Sequence, residues 1–175
     1  MQRAECSLCK LADAQPPGTD YFLVHDSSPN KRNRWLAMPR FHGVNPQELS
    51  GMTAEQRTAL WTVAIDKGRE IWGNDWGLAV NSLMSRTQCH LHVHIGKLAP
   101  GAENSRFVVV DGPAQIPLPR AGDGIWVHPA GGKLHVHWGE DKGAAAAAVR
   151  RSAEGAAGGD PANPARWAAA RSKAQ

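Results

Sequence analysis

The sequence contains no long apolar run and no motif typical of nucleic-acid-binding domains. No segment approaches the roughly 18 to 20 consecutive apolar residues that a membrane-spanning helix needs. The first ten residues, MQRAECSLCK, lack the apolar segment of a secretory signal peptide. No zinc-finger, basic-zipper or RNA-recognition signature is present. We therefore expect a cytoplasmic protein that has no integral membrane segment and does not bind nucleic acid.

Cysteine is also scarce. Three cysteines, an odd number, and no signal peptide argue against a disulfide framework. Cys6 and Cys9 have the C-x-x-C spacing of half a zinc site, and the same spacing is found in redox pairs. Reduced thiols without a metal are the third interpretation. Cys89 lies alone beside a histidine-rich segment.

The chain is long enough for one domain with an ordinary hydrophobic core. It has 175 residues and a net charge of +4, a mild excess that suits an anionic ligand without specifying one. We expect a single domain over residues 1–142, with a C-terminal extension that begins near residue 100. From residue 143 the composition is rich in Ala, Gly and Pro, which predicts a partly disordered tail. A turn or two of helix is possible at Ala144–Arg151.

The order of the predicted elements indicates an α+β fold with an antiparallel sheet. Residues 10–20 form a proline-rich connector, and Pro39 ends the first hairpin because it has no N–H to donate. Thr53-Ala-Glu-Gln56 matches a capping box, and the apolar spacing after it predicts a helix that ends at Gly73. Strands are predicted at 21–26, 34–39, 77–82, 88–96 and 106–111, and in a late hairpin closed by residues 130–132. We expect a twisted sheet of about five strands with one main helix packed on it.

The segment Gln88–Gly96, QCHLHVHIG, is the most informative part of the chain. Side chains alternate between faces along a strand, so His90, His92 and His94 share one face while the apolar residues between them face the core. Three imidazoles in a row add polar atoms that must be paired, so a purely stabilising role is not expected. Metal ligation and nucleophilic or acid–base chemistry both explain the row, because neutral imidazole is a metal ligand and a nucleophile. The remaining interpretation is a half-exposed edge strand.

The pattern H-φ-H-φ-H-φ, in which φ is apolar, resembles the signature of the histidine-triad superfamily, which transfers or hydrolyses nucleotidyl groups. The stretch from Asn81-Ser82 through Arg86-Thr87-Gln88 to Ile95 is most similar to the CDP-diacylglycerol diphosphatase branch. Tyr21–Asp26 and Trp35–Pro39 also resemble that branch, so the resemblance covers about residues 20–97. Members of that branch typically carry an N-terminal membrane anchor and a longer C-terminal portion; we expect no anchor here, and residues 100–175 do not resemble the branch. The resemblance implies a histidine-triad-like fold, a homodimer and hydrolysis of a nucleotide pyrophosphate, with CDP-diacylglycerol or another CDP-alcohol as substrate.

The resemblance also implies catalytic and substrate-binding roles. The nucleophile would be His92, through a covalent nucleotidyl-histidine that water hydrolyses to release a nucleoside monophosphate. His94 would contact the transferring phosphate, and His90 completes the catalytic triad. The implied substrate-binding residues are Asn81, Arg86, Thr87, Gln88 and Trp35. A solvated surface arginine and a core tryptophan are the alternatives for Arg86 and Trp35.

Some members of the superfamily bind a structural zinc through a C-x-x-C pair, a histidine after the second strand and the first triad histidine. Cys6, Cys9, His42 and His90 occupy the matching positions, so the resemblance implies a structural zinc and no catalytic cofactor. Two other functions stay open. One is a hydrolase or nucleotidyltransferase acting on dinucleoside polyphosphates or nucleoside phosphoramidates, and the other is a non-catalytic, zinc-stabilised nucleotide-binding module.

The late hairpin carries a second group of histidines: His128, His135 and His137. They are favoured as exposed strand residues, and the alternatives are a contribution to the substrate pocket or an adventitious metal site.

Overall fold

The fold combines two helices with one antiparallel sheet. The computed structural model describes residues 5–26, 33–44, 46–103, 106–139 and 149–150. Its helices are α1 (Ser7–Asp13) and α2 (Ala54–Trp72). Its strands are β1 (Tyr21–His25), β2 (Trp35–Pro39), β3 (Trp76–Val80), β4 (Val93–Leu98), β5 (Phe107–Val110), β6 (Gly124–Ala130), β7 (Lys133–Gly139) and β8 (Val149–Arg150). No helix among these residues is long and apolar enough to cross a bilayer.

The predicted antiparallel α+β fold is confirmed, but the predicted count of about five strands is wrong. Seven strands run in the order β1-β2-β4-β3-β6-β7-β5, and the short β8 pairs with β4. The difference arises at β3, which pairs with β4 on one side and with β6 on the other. The β6–β7 hairpin and β5 therefore continue the main sheet, although their segment was predicted as a separate extension.

The register divides the sheet into two faces. Cross-strand partners in an antiparallel sheet point to the same side. One row lies on the face that packs against α2 and consists of Trp35, Ile95, Leu78, Val127, Val136 and Val108, of which Val108 is exposed on the edge strand. The neighbouring row on the opposite face consists of Leu36, His94, Ala79, Trp126, His137 and Phe107. The core under α2 is therefore apolar, and the histidines lie on the other face.

Helix α2 has the predicted ends. The Thr53 hydroxyl accepts from the Gln56 N–H at 3.2 Å, and the Gln56 side chain accepts from the Thr53 N–H at 2.9 Å. Gly73 ends the helix with a φ of +61°, a conformation that favours glycine. Near the middle, Gly68 packs so closely on β3 that an added Cβ would lie 3.0 Å from the Trp76 Cβ. The backbone of α2 thus approaches the sheet at a residue without a side chain.

Three local predictions need correction. Residues 7–13 form α1, part of which lies in the predicted connector, because Leu8 and Ala12 pack under the sheet. Strand β4 begins at Val93, five residues later than the predicted strand. Of the predicted helical turn at Ala144–Arg151, only Val149 and Arg150 lie in the described residues, and they form β8. The other residues of that turn, and the rest of the predicted tail, lie outside the described residues.

Candidate functional site

The triad histidines lie at and just before the start of β4, a central strand of the sheet. Only His94 is within β4, and His90 and His92 lie in the irregular segment that precedes the strand. Strand β4 is flanked by β2 and β3, and the three side chains are only 1%, 6% and 5% exposed, in sequence order. The alternative of a half-exposed edge strand is therefore wrong. Leu91, Val93 and Ile95 pack in the core under α2, as the alternation predicts.

The ring of His92 is held in one tautomer by a backbone contact. Its Nδ1 lies 2.9 Å from the carbonyl oxygen of His90. A carbonyl oxygen can only accept, so Nδ1 carries the proton and Nε2 carries the lone pair of the neutral ring. Burial lowers the pKa of His92 to about 4, and the charge of nearby Arg86 acts in the same direction. At neutral pH, His92 is therefore an uncharged imidazole with a nucleophilic nitrogen at Nε2.

His94 lies beside His92 and is held by Asn81. The two imidazole rings are 4.7 Å apart and nearly perpendicular. The Asn81 Nδ2 lies 3.2 Å from His94 Nε2, from the end of β3. The structure thus brings together three of the predicted site residues, and the two histidines can both reach one small anionic group.

Arg86 connects the segment before the triad to two other parts of the site. Its guanidinium donates to the backbone carbonyls of Gln47 and Asn81. Burial lowers the pKa of Arg86 below its ordinary value, but an arginine remains charged at neutral pH. Arg86 is therefore not a solvated surface arginine. The two bonds engage two of its five N–H groups, so its capacity to donate hydrogen bonds is not exhausted.

Gln47, which the sequence did not single out, braces the same segment. It is buried, and its Oε1 accepts from the Leu91 N–H at 3.3 Å. Its own backbone N–H donates to the Cys89 carbonyl at 2.9 Å. These bonds satisfy the backbone of the irregular segment that precedes β4, where no neighbouring strand does so.

A cluster of three cysteines and two histidines lies next to the triad. We call it the cysteine–histidine cluster: Cys6, Cys9, His42, Cys89 and His90. It comprises two overlapping groups, Cys6–Cys9–Cys89 and Cys9–His42–His90, and within each group the candidate ligand atoms lie within 4.8 Å of one another. Either group could hold a metal ion. Three of the predicted ligands, Cys9, His42 and His90, share one group, whereas Cys6 shares the other with Cys9 and Cys89, so neither group contains all four predicted ligands.

The tautomer of His90 presents a lone pair to the cysteines. Its Nε2 donates to the Pro39 carbonyl at 2.8 Å, so Nδ1 carries the lone pair, and Nδ1 lies 3.8 Å from Cys9 Sγ. His42 makes a 2.7 Å contact between Nε2 and the Asp13 carboxylate. Carbonyl and carboxylate partners of this kind commonly orient histidines that bind metals.

The thiols are close enough to oppose one another's ionisation. Cys9 Sγ lies 3.5 Å from Cys89 Sγ, and burial together with the neighbouring thiols raises the pKa of Cys9 to about 12. Burial acts in the same direction on Cys6, but nearby backbone N–H groups of Cys9 and His90 outweigh it and lower the Cys6 pKa to about 7. A cation is the natural partner of several thiolates held this closely.

The cluster also encloses a small space. A cavity of about 20 Å³ is lined by Cys9, His42, Cys89 and His90, with Gln47 and the backbone near Gly43 completing it. This volume has room for about one water-sized particle. Donor chemistry and available space are therefore both suited to a single metal ion.

Other predicted site residues lie away from His92. Thr87 is exposed in the segment before the triad. Gln88 accepts a hydrogen bond from Cys6 Sγ at 3.1 Å, so it contacts the cysteine–histidine cluster. Trp35 lies on the α2 face of the sheet, where the Lys67 ammonium sits 4.2 Å from its ring centre. The structure does not bring Trp35 onto the face that carries the triad.

The histidines of the late hairpin are not exposed strand residues, so that interpretation is wrong. His128 and His137 are 3% and 0% exposed, and burial lowers the pKa of His137 to about 4. His135 is half-buried, and Glu103, from the connection between β4 and β5, contacts all three rings. We call these four residues the hairpin cluster. Glu103 could not be predicted as a member of this cluster, because it is distant along the chain from the hairpin.

A larger cavity of about 270 Å³ lies at the end of α2 and beside the β6–β7 turn. Arg69, Asp111 and Lys133 are the charged residues that line it, and none of the predicted site residues does. It has no connection to the chemistry of the triad.

The chain matches no protein-family model, and no curated protein is detectably similar to it.

Proposed function

We propose that this protein is a hydrolase or nucleotidyltransferase of phosphoanhydride bonds that attacks the α-phosphorus of a nucleotide through His92 Nε2. The observation that carries this proposal is the hydrogen bond between His92 Nδ1 and the His90 carbonyl. It assigns the proton to Nδ1 and keeps Nε2 available as a nucleophile at neutral pH. The resemblance of residues 20–97 to histidine-triad proteins supports the same assignment.

The reaction proceeds in two displacements. Nε2 of His92 attacks the α-phosphorus, a P–N bond forms, and the P–O bond to the leaving phosphate breaks, with the electron pair remaining on the departing oxygen. Water then attacks the phosphorus of the nucleotidyl-histidine and releases one proton to the solvent. The P–N bond breaks, and the products are nucleoside monophosphate and the neutral imidazole.

The side chains next to His92 are placed to bind the phosphate of the substrate. His94, 4.7 Å from His92 between ring centres, is placed to contact the transferring phosphoryl group, and Asn81 orients its ring. The Arg86 charge, close enough to affect His92, favours an anionic ligand there. A phosphate that approaches His92 therefore meets hydrogen-bond donors and one positive charge.

We further propose that the cysteine–histidine cluster binds a structural zinc. Cys6, Cys9, His42 and His90 are the ligands implied by the resemblance, and Cys89 is placed to replace Cys6, whereas Cys9 belongs to both groups of the cluster. Thiolate and imidazole ligands are those that zinc prefers in closed tetrahedral sites. A bound ion would hold α1 against the segment that carries His92. The ion would take no part in the catalytic step.

CDP-diacylglycerol and other CDP-alcohols are the substrates we favour. Dinucleoside polyphosphates and nucleoside phosphoramidates are the alternative class, and the zinc-type ligand set supports them. A nucleotide-binding module without turnover is the non-enzymatic alternative. The resemblance is the only support for a homodimer.

The test is a search for the covalent intermediate. The protein would be mixed with CDP-diacylglycerol in detergent micelles, CDP-choline, a dinucleoside polyphosphate or adenosine phosphoramidate, quenched rapidly and analysed by intact-mass spectrometry. We expect a nucleoside-monophosphate adduct that maps to His92, and the substrate that produces it identifies the class. Absence of both adduct and released monophosphate with every substrate would contradict the enzymatic proposal.

His92→Asn is the sharper variant for this test. An asparagine amide can still donate to the His90 carbonyl, as Nδ1 does, but it offers no nitrogen at the position of Nε2. We expect it to fold, retain metal and bind nucleotide, with turnover and adduct both lost. His25→Ala, at an exposed histidine of β1, is the matched control and should leave both unchanged.

A further inference from the structure

The hairpin cluster is assembled from two adjacent strands and one loop. His128 of β6 is the direct cross-strand partner of His135 of β7, so their side chains point to the same face of the sheet. His137 lies two residues further along β7 and shares that face. Glu103 reaches the three rings from the connection between β4 and β5.

The donor atoms of the cluster converge on one point. His128 Nε2 lies 3.0 Å from His137 Nε2 and 2.9 Å from Glu103 Oε2. His135 Nδ1 lies 3.0 Å from Glu103 Oε1, and His137 Nε2 lies 3.6 Å from the same oxygen. All four candidate ligand atoms lie within 4.8 Å of one another. Three nitrogens and one oxygen are thus arranged around a common centre.

The hydrogen bond of His128 indicates which of its ring nitrogens carries the proton. Its Nδ1 lies 3.1 Å from the Pro129 carbonyl oxygen, which can only accept, so Nδ1 carries the proton. In the neutral ring, Nε2 therefore presents a lone pair to the Glu103 carboxylate, which is itself an acceptor. Two acceptors at 2.9 Å repel unless a proton or a metal ion lies between them.

The rings are held in place by their neighbours. Trp126 stacks on His137 with an interplanar angle of 4° and a centroid distance of 5.2 Å. Phe107 stacks on His135 at 4.5 Å. The backbone of Arg106 is a further hydrogen-bond partner of His137. Rings fixed by stacking and by backbone contacts lose little freedom when they bind an ion.

We propose that Glu103, His128, His135 and His137 form a second metal site, which binds a divalent first-row transition metal such as Zn²⁺ through three imidazole nitrogens and one carboxylate oxygen. Imidazole and carboxylate are established ligands for such ions, and the absence of sulfur from this set distinguishes it from the cysteine–histidine cluster. The site lies on the same face of the sheet as His94, two strands away at His128 and three at His135 and His137, which is about 10 to 14 Å. It is therefore separate from both the triad and the cysteine–histidine cluster.

A bound ion would also position the connection between β4 and β5. Glu103 is half-exposed, and the adjacent Ala102 accepts a hydrogen bond from Trp126 Nε1 at 3.0 Å. Metal ligation by Glu103 would fix Ala102 and Glu103 beside Trp126.

Metal stoichiometry tests the proposal independently of nucleotide turnover. The full chain, without a polyhistidine tag, would be stripped of metal under reducing conditions and titrated with Zn²⁺ and with Co²⁺. We expect two equivalents of Zn²⁺ for the parent and one for Cys9→Ser. The Co²⁺ complex of Cys9→Ser should show d–d absorption but no thiolate-to-metal charge transfer. If Cys9→Ser binds no metal, the proposal is wrong.

Variants of the hairpin cluster complete the test. In the Cys9→Ser background, His135→Gln should weaken Zn²⁺ binding more than about 100-fold. Loss of a group that only hydrogen-bonds to a metal ligand weakens metal binding by about 10- to 100-fold, and His135 is itself a proposed ligand. Glu103→Gln should weaken it at least about 10-fold, and because Glu103 is half-exposed, this variant settles the matter if His135→Gln does not fold. Glu70→Gln, at an exposed glutamate of α2, is the carboxylate control and should have no effect. Equal affinity in the hairpin variants and the control would overturn the proposal.

Discussion

If the cysteine–histidine cluster binds zinc as proposed, removal of that metal should release α1 from the sheet. The helix has seven residues, and its buried side chains are Leu8, Cys9 and Ala12. A helix of this length is unstable in water on its own, because the cost of nucleation is not recovered over so few hydrogen bonds. Metal ligation by Cys6 and Cys9 would therefore add to the packing of Leu8 and Ala12 in holding α1.

The size of the effect follows from ligand linkage. A metal present at about 1,000 times its dissociation constant stabilises the bound state by about 4.1 kcal/mol. Opening of α1 should then become about 1,000-fold more frequent when the metal is removed. Amide exchange in α1 should accelerate by the same factor, whereas the amides of β3, which lies between two other strands, should change little.

Hydrogen-exchange mass spectrometry of the full chain, with and without chelator under reducing conditions, measures this directly. Cys9→Ser removes the one ligand common to both groups of the cluster, so its α1 amides should exchange rapidly in both conditions. The reasoning is refuted if α1 in the parent is equally protected with and without chelator, or if α1 in Cys9→Ser stays protected.

Three further predictions concern stability, and urea unfolding measures each. Gly68→Ala should lower the free energy of unfolding by about 1 kcal/mol, because the new Cβ meets the buried Trp76 at 3.0 Å, and this outweighs the helix preference of alanine. Gly51→Ala is the control: it has open space around it and should not lower the free energy of unfolding. Thr53→Ala should cost about 1 kcal/mol by removing the helix cap, and no loss would show that the capping box is unimportant. Burial raises the pKa of Tyr21, so the folded chain holds the phenol proton more tightly than the unfolded chain does. The stability that results from this difference is lost as the pH rises above 10. Tyr21→Phe should therefore cost about 1 kcal/mol near neutral pH and lose less stability than the parent in alkali.

Much of the local structure could be predicted because its signals are contained in short segments. The capping box at Thr53 and the stop at Gly73 act within one helical turn, so the limits of α2 follow from a few adjacent residues. The late hairpin is similar, since Gly131 and Gly132 have φ values of +58° and +80°, as a two-residue turn requires.

The site was predicted less completely. Alternation along one strand placed the apolar partners of the triad histidines in the core, and the C-x-x-C spacing pointed to a metal. Strand β4, however, starts only at Val93, and the segment before it is held by Gln47 and Arg86, which approach from elsewhere in the chain. Such long-range hydrogen bonds leave no periodic signal in the sequence.

By itself, then, the sequence determined the residue types, the alternation and the turn chemistry, and with them the antiparallel α+β class, the ends of α2 and the candidate triad. The tertiary structure decided which distant residues meet. It extended the sheet through the pairing of β3 with β6, placed Cys89 against Cys9, put Trp35 on the α2 face and brought Glu103 to the hairpin histidines. The reason is physical: propensity and alternation act between neighbours along the chain, whereas strand pairing and ligand convergence depend on how the whole core packs.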